Sequence, residues 1–148
     1  MSAPMQRINP AGLPEPRGYT HATAATGRFV FLAGQTAQDA GGVVAGTVAE
    51  QFGRALANLL TALAAAGGST ADLASLTIYV TDLDAYRQQS TVLGEIWRRL
   101  AGADYPAMAV VEVSRLWDPS ALVEIQGIAV VPDAGDGPPE GAQPGGVE

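Results

Sequence analysis

An α+β fold, with paired strands around two helices that pack on one face of a mixed sheet, is predicted by three observations on the 148-residue sequence. Runs rich in β-branched and aromatic residues fall at 29–33, 76–80, 107–113 and 122–131. Two other segments, starting at Thr47 and at Asp82, repeat apolar residues at three- and four-residue steps instead. Their order along the chain is β-β-α-β-α-β-β, so strands come in pairs and do not alternate strictly with helices. At this length one domain is expected, burying roughly two-thirds of its unfolded surface.

Each element has its own signal. Residues 19–26 are rich in Thr, and Gly27-Arg28 turns the chain into Phe29-Val30-Phe31-Leu32-Ala33, which reads as a hairpin; a further short strand is expected near residues 6–9. After a Gly41-Gly42 loop, Thr47-Val48-Ala49-Glu50 fits a capping box, in which Thr47 and Glu50 satisfy each other's backbone N–H groups. Phe52, Leu56, Leu59, Leu60 and Leu63 then form one buried stripe, and Gly67-Gly68 ends the helix. Residues 76–80 form a strand, and Asp82 is the N-cap of a second helix reaching Leu100. That helix carries the stripe Tyr86, Leu93, Ile96, Trp97, Leu100, with Gly94 as its weakest point and Arg98-Arg99 placed against the dipole. Beyond Tyr105-Pro106 come the strands 107–113 and 122–131, joined around Asp118-Pro119. Phe31, Ile78, Val110 and Ile128 are expected to point away from the helices, and a sheet face so apolar predicts a homo-oligomer.

Composition narrows the chemistry. The chain has eight bases, all Arg, against 15 acids, a formal charge of -7, one His and no Cys. A thiolate nucleophile, a disulfide framework and Cys-built metal sites are excluded, as is a Lys Schiff base. One His leaves no multi-His metal site and at most one His-based general base. Residues 132–148 hold four Pro, five Gly and four acids with no base, a composition expected to stay disordered. Without that tail, residues 1–131 carry eight bases and eleven acids, a net of -3. The acidic balance, with a pI near 4.5, argues against nucleic-acid and anionic-membrane partners. No stretch resembles a membrane span or a secretory leader, so a cytoplasmic protein is expected.

Several blocks then carry a resemblance: Gly18-Tyr19-Thr20-His21-Ala22, Phe31-Leu32-Ala33-Gly34-Gln35, Val80-Thr81-Asp82-Leu83, Tyr105-Pro106-Ala107, Val111-Glu112-Val113-Ser114-Arg115-Leu116 and Val123-Glu124-Ile125-Gln126-Gly127-Ile128-Ala129-Val130. In this order and spacing, from about residue 5 to 131, the chain resembles the RidA (YjgF) family of reactive-intermediate imine and enamine deaminases. The resemblance implies a chorismate-mutase-like fold. It also implies a homotrimer whose sheets form a central barrel, with small-molecule clefts between subunits and no metal or organic cofactor. Typical members hydrolyse 2-imino or enamine acids to 2-keto acids and ammonia.

Carried over residue by residue, the resemblance places the pocket tyrosine at Tyr19 and the glycine and its neighbours at Ala33, Gly34 and Gln35. A helix asparagine falls near Ser90, the carboxylate-clamping arginine on Met108, a cysteine on Val110, and the water-holding glutamate on Gln126. Glu124, one strand period earlier, shares the face of Gln126, and His21 shares that of Tyr19. Arg17 precedes Gly18-Tyr19 and is within reach of the cleft from its loop. Tyr19, His21, Glu124 and Gln126 are therefore the catalytic candidates; Arg17, Ala33, Gly34, Gln35, Ser90, Met108 and Val110 are the binding candidates; Glu112 reads as structural. Met offers no donor to a carboxylate, and a Gln amide does not accept a proton. The expected activity is thus hydrolysis of an enamine, imine or related intermediate other than the usual 2-imino acids; the alternative is a non-catalytic trimeric protein that binds a metabolite in the same cleft.

Overall fold

Residues 4–133 are described by a computed structural model. The tail expected over 132–148 lies outside the described residues from position 134 onward. The N-terminal part forms β1 (Gln6–Ile8), β2 (Ala22–Ala24), β3 (Arg28–Gln35), β4 (Gln38–Asp39) and β5 (Gly42–Val43). Helix α1 (Val48–Ala65), a short 3-10 turn (Thr70–Asp72) and β6 (Leu73–Val80) follow. The chain continues through α2 (Leu83–Gln88), α3 (Ser90–Ala101), β7 (Ala107–Glu112) and β8 (Val123–Val131). A four-stranded sheet has the order β3-β8-β6-β7; β6 and β7 are parallel and the other pairs antiparallel. The α+β class holds, with the helices on one sheet face.

Local chemistry starts the helices where the sequence signals them. Thr47 Oγ1 accepts the Glu50 N–H at 3.2 Å, and Glu50 returns a longer bond to the Thr47 N–H at 3.4 Å. Asp82 Oδ1 accepts the Ala85 N–H at 3.0 Å at the start of α2. Gly67, with φ of +86°, takes the left-handed conformation that ends α1. The α1 stripe of Phe52, Leu56, Leu59 and Leu63 packs against Leu76, Ile78, Val80 and Ile125 of the central strands, all almost completely buried. Each such side chain contributes about 1.5–3 kcal/mol of burial.

Three expectations are corrected. The hairpin between residues 19–26 and 29–33 does not form: β2 pairs with β1, Ile8 opposite Ala22, while β3 runs along β8 for its whole length. The nine-residue β8 offers β3 more ladder bonds and apolar contacts than the three-residue β2 does, so non-local pairing overrides the local turn. The second helix is two, so that three helices cover the sheet, and the interruption falls at Gln89 (φ -97°, ψ 13°), not at Gly94. Finally, Ile78 is fully buried under the helices, and its register partner Val110 lies on that same face at the sheet edge.

The opposite face is apolar, as expected of Phe31 and Ile128. Phe29 is 63% exposed, Phe31 75%, Ile128 38% and Val111 42%. Phe31 and Ile128 are register partners, and Phe29 contacts Phe31 with ring centroids 6.5 Å apart. Among the described residues, no helix is long and apolar enough to cross a membrane.

Candidate functional site

At the β7 edge the helical layer stops short of covering the sheet and leaves a cleft of about 350 Å³. Strand β7 supplies Met108 and Val110, α3 supplies Ser90, Leu93, Gly94 and Trp97, and Arg17 and Gly18 lie at the mouth. The floor is aromatic. Trp97 and Tyr105 stack with centroids 5.1 Å apart, and Phe52 and Tyr86 meet edge-on at 6.2 Å. Trp97 is fixed further by its indole N–H, which donates to the Asp104 carbonyl at 3.1 Å.

The segment carrying Arg17 reaches the mouth because Thr20 staples it to the start of β7. The buried Thr20 donates its N–H to the Pro106 carbonyl at 3.0 Å and its hydroxyl to the Tyr105 carbonyl at 2.6 Å. Arg17 itself is exposed. Burial pushes the Tyr86 phenol up to about 12, with the neighbouring Tyr105 adding to the effect, so Tyr86 is a neutral hydrogen-bond donor across the physiological range.

Of the sequence-selected residues, the cleft brings together Arg17, Ser90, Met108 and Val110. A second group sits on the opposite sheet face. Glu124 pairs in register with Tyr79 and Gln126 with Thr77, whereas Met108 pairs with Leu76 on the helix side. The Glu124 carboxylate packs against Gly34 so closely that a side chain on Gly34 would collide with it. Gln126 donates its amide to the Tyr79 hydroxyl at 3.1 Å. Ala33 is exposed, and a bulge between Leu32 and Gln35 sets Gln35 opposite Ile125, away from Glu124; there Gln35 Oε1 accepts a long 3.4 Å bond from Gln38.

Tyr19 and His21 form a pair of their own, with ring centroids 5.0 Å apart and planes at 84°. They flank the stapled Thr20 without lining the cleft. His21 Nε2 lies 2.7 Å from the Pro14 carbonyl, a bond that assigns the proton to Nε2, and its backbone N–H donates to Asn9 Oδ1 at 2.9 Å. Glu112 has the structural role expected of it: Oε1 accepts the Leu83 N–H at 3.0 Å at the start of α2.

Tyr86, Trp97 and Tyr105 line the cleft, and sequence reasoning had placed the first two only in a core stripe. Periodicity identifies the apolar side of a helix; it carries no signal for where the edge strand leaves that side uncovered. A wider groove of about 820 Å³ runs between α1 and α3, past Gly53 and Ile96, but none of the catalytic or binding candidates line it. Among the described residues no cluster of His, Asp or Glu is arranged to hold a metal ion.

Residues 13–131 match the family model described as endoribonuclease L-PSP. A RutC family protein of Pyrococcus abyssi is 35% identical over 118 residues, covering 78% of this chain and 89% of that protein. A 2-iminobutanoate/2-iminopropanoate deaminase of Homo sapiens is 28% identical over 105 residues, covering 70% of this chain and 73% of the relative. The crystal structure of a Rid family protein of unknown function, YyfB from Yersinia pestis, superposes with a TM-score of 0.75 at 30% identity, covering 87% of this chain and 100% of the other.

Proposed function

Since the chain belongs to the endoribonuclease L-PSP family, to which the RidA and RutC proteins belong, we propose that it is a cofactor-free hydrolase of a C=N or enamine substrate, working as a homotrimer. The observation that carries this reading is the division of the candidate residues between two faces of one sheet. Arg17, Ser90, Met108 and Val110 meet at the cleft, while Gly34, Glu124 and Gln126 lie on the apolar face beyond it. One copy cannot bring the two sets to one substrate. In the oligomer we propose, the β7 edge where the cleft opens lies beside the Glu124 face of a neighbouring copy, with Phe29, Phe31 and Ile128 buried between copies. The human deaminase relative favours imine hydrolysis as the reaction.

In that reaction water adds to the C=N carbon, and ammonia leaves from the resulting carbinolamine as the carbonyl forms. Glu124 accepts the proton of the attacking water, since Glu112 is engaged with α2 and the Gln126 amide accepts no proton. Gln126 orients the water. The cleft excludes bulk solvent and binds the body of the substrate. A carboxylate has no clamp at Met108: the absence of an arginine fork there corresponds to about 2–5 kcal/mol, roughly 30- to several-thousand-fold in binding. Small 2-imino acids are therefore poor substrates.

Ammonia release and semicarbazide trapping with enzymatically generated 2-iminopropanoate test this. Turnover at least ~30-fold below that of an arginine-bearing family member is expected, rising in the double variant Met108→Arg/Gln126→Glu. Turnover equal to that member's would refute the substrate restriction. Saturable ligand binding with no ammonia release from any imine would establish the binding-protein alternative, which the neutral Gln126 favours.

A further inference from the structure

The cleft's lining contains no carboxylate, and its one cation, Arg17, lies exposed at the mouth, where water screens it. Inside are the stacked Trp97 and Tyr105, the Tyr86 ring, and the thioether of Met108. A volume of about 350 Å³ accommodates a ring-sized group. Gly94 widens the cavity from the α3 side, since a methyl group placed there would meet no atom within 4 Å. Among the described residues, neither the Tyr86 nor the Tyr105 hydroxyl hydrogen-bonds to a protein group, and neither phenol oxygen is sealed from solvent, so both are open to a ligand in the cleft.

We propose that this cleft binds the neutral aromatic body of the substrate, with the Tyr86 hydroxyl donating to an acceptor on it, so that the substrate class is an aryl-substituted imine or enamine. The proposal rests on the hydrolase reading for the word substrate; the recognition itself stands on the cleft. The ring lies against Trp97, Tyr105 and Met108, where apolar burial and sulfur–aromatic contact replace the salt bridge that Met108 cannot make. Tyr86 and Met108 then act as specificity residues, selecting the shape and neutrality of the group that enters.

The test uses the full-length, ¹⁵N-labelled chain. It has two tryptophans, Trp97 and the fully exposed Trp117, so the variant W117F assigns the Trp97 indole N–H resonance. Acetophenone, phenylpyruvate and pyruvate are titrated in turn. Acetophenone and phenylpyruvate are expected to shift the Trp97 resonance saturably, and pyruvate to require at least about tenfold higher concentration. Y86F should weaken acetophenone about three- to tenfold. G94L, which fills the cavity, should abolish the shift. Pyruvate binding as tightly as acetophenone, or a Trp97 resonance that no aryl probe moves, would overturn the proposal. Should G94L not fold, Y86F decides: affinity for acetophenone unchanged in that variant would remove Tyr86 from recognition and refute the claim. Ammonia release keeps the two readings apart. Rapid turnover of 2-iminopropanoate without aryl binding would sink the aryl class and leave the hydrolase. Aryl binding with no turnover of an aryl imine would do the reverse.

Discussion

Replacing Gln51 by leucine should loosen the end of the sheet that carries Glu124. Gln51 is only 2% exposed, yet its amide holds three backbone groups. Nε2 donates to the Val44 carbonyl at 3.2 Å and the Ser120 carbonyl at 3.1 Å, and Oε1 accepts the Leu122 N–H at 2.8 Å. The side chain thereby ties α1 to the β5–α1 connection and to the last turn of the β7–β8 loop, two residues before Glu124. Gln51→Leu leaves the Leu122 N–H without a partner at a cost of about 1–3 kcal/mol, and weakens two carbonyls by about 1 kcal/mol each. The leucine recovers about 1 kcal/mol through apolar burial. A net loss of about 3 kcal/mol follows, which at about 3 °C per kcal/mol for a chain of this size lowers Tm by about 10 °C. Thermal unfolding by circular dichroism at one fixed protein concentration reads this, since assembly makes Tm concentration-dependent. A Tm within about 2 °C of the parent protein would show that the loop is held by other contacts and that the bookkeeping is wrong.

Three further outcomes are expected. Gly34→Ala drives its new methyl into the Glu124 carboxylate, a flexible end that swings aside, so imine hydrolysis should fall at least about tenfold while Tm changes by only a few degrees; unchanged turnover would remove Glu124 as the base. Gly94→Ala adds a side chain to open space inside α3 and should stabilise by about 0.8–1 kcal/mol in urea titration; destabilisation would mean that the cleft is already filled there. The Tyr86 phenol has a pKa near 12 when folded against 10.0 in the reference state, so its contribution to stability is complete below pH 10 and lost as pH rises towards 12. Urea midpoints at pH 9 and pH 11.5 should diverge more for the parent than for Tyr86→Phe, and equal divergence would place the phenol in water.

Much of the framework was legible because its signals are local. Thr47 and Glu50, Asp82, and the stripe from Phe52 to Leu63 lie within one or two helical turns and act as expected. The strand blocks also fall where β-branched residues cluster, although β6 begins three residues before the run at 76–80. The partner of β2 was not legible, because the turn at Gly27-Arg28 suits a hairpin equally well and only the distant β8 decides the pairing of β3. The interruption at Gln89 carries no glycine or proline to announce it, and Gly94, which had the weaker helix propensity, sits inside an unbroken helix.

The site was half legible. Spacing within a single strand put Glu124 and Gln126 on one face, and their register partners Tyr79 and Thr77 agree, while Met108 and Val110 share the other face beside Leu76 and Ile78. That these two faces lie on opposite sides of the sheet depends on the register between strands, which no short motif encodes. The bulge between Leu32 and Gln35 likewise shifts the register of β3 against β8, so that Gln35 lies opposite Ile125. Tyr86 was hidden by its neighbours: a tyrosine in a helical stripe reads as core until the edge of the sheet is known.

The central claim is that the cleft and the Glu124 face become one site only between copies of the chain. Multi-angle light scattering on the full-length protein tests it most directly. Three copies of a 15.1 kDa chain, a mass of about 45 kDa, are predicted. A mass of 15.1 kDa under the conditions of turnover would contradict the account, because a single copy keeps Met108 and Glu124 on opposite faces of its sheet.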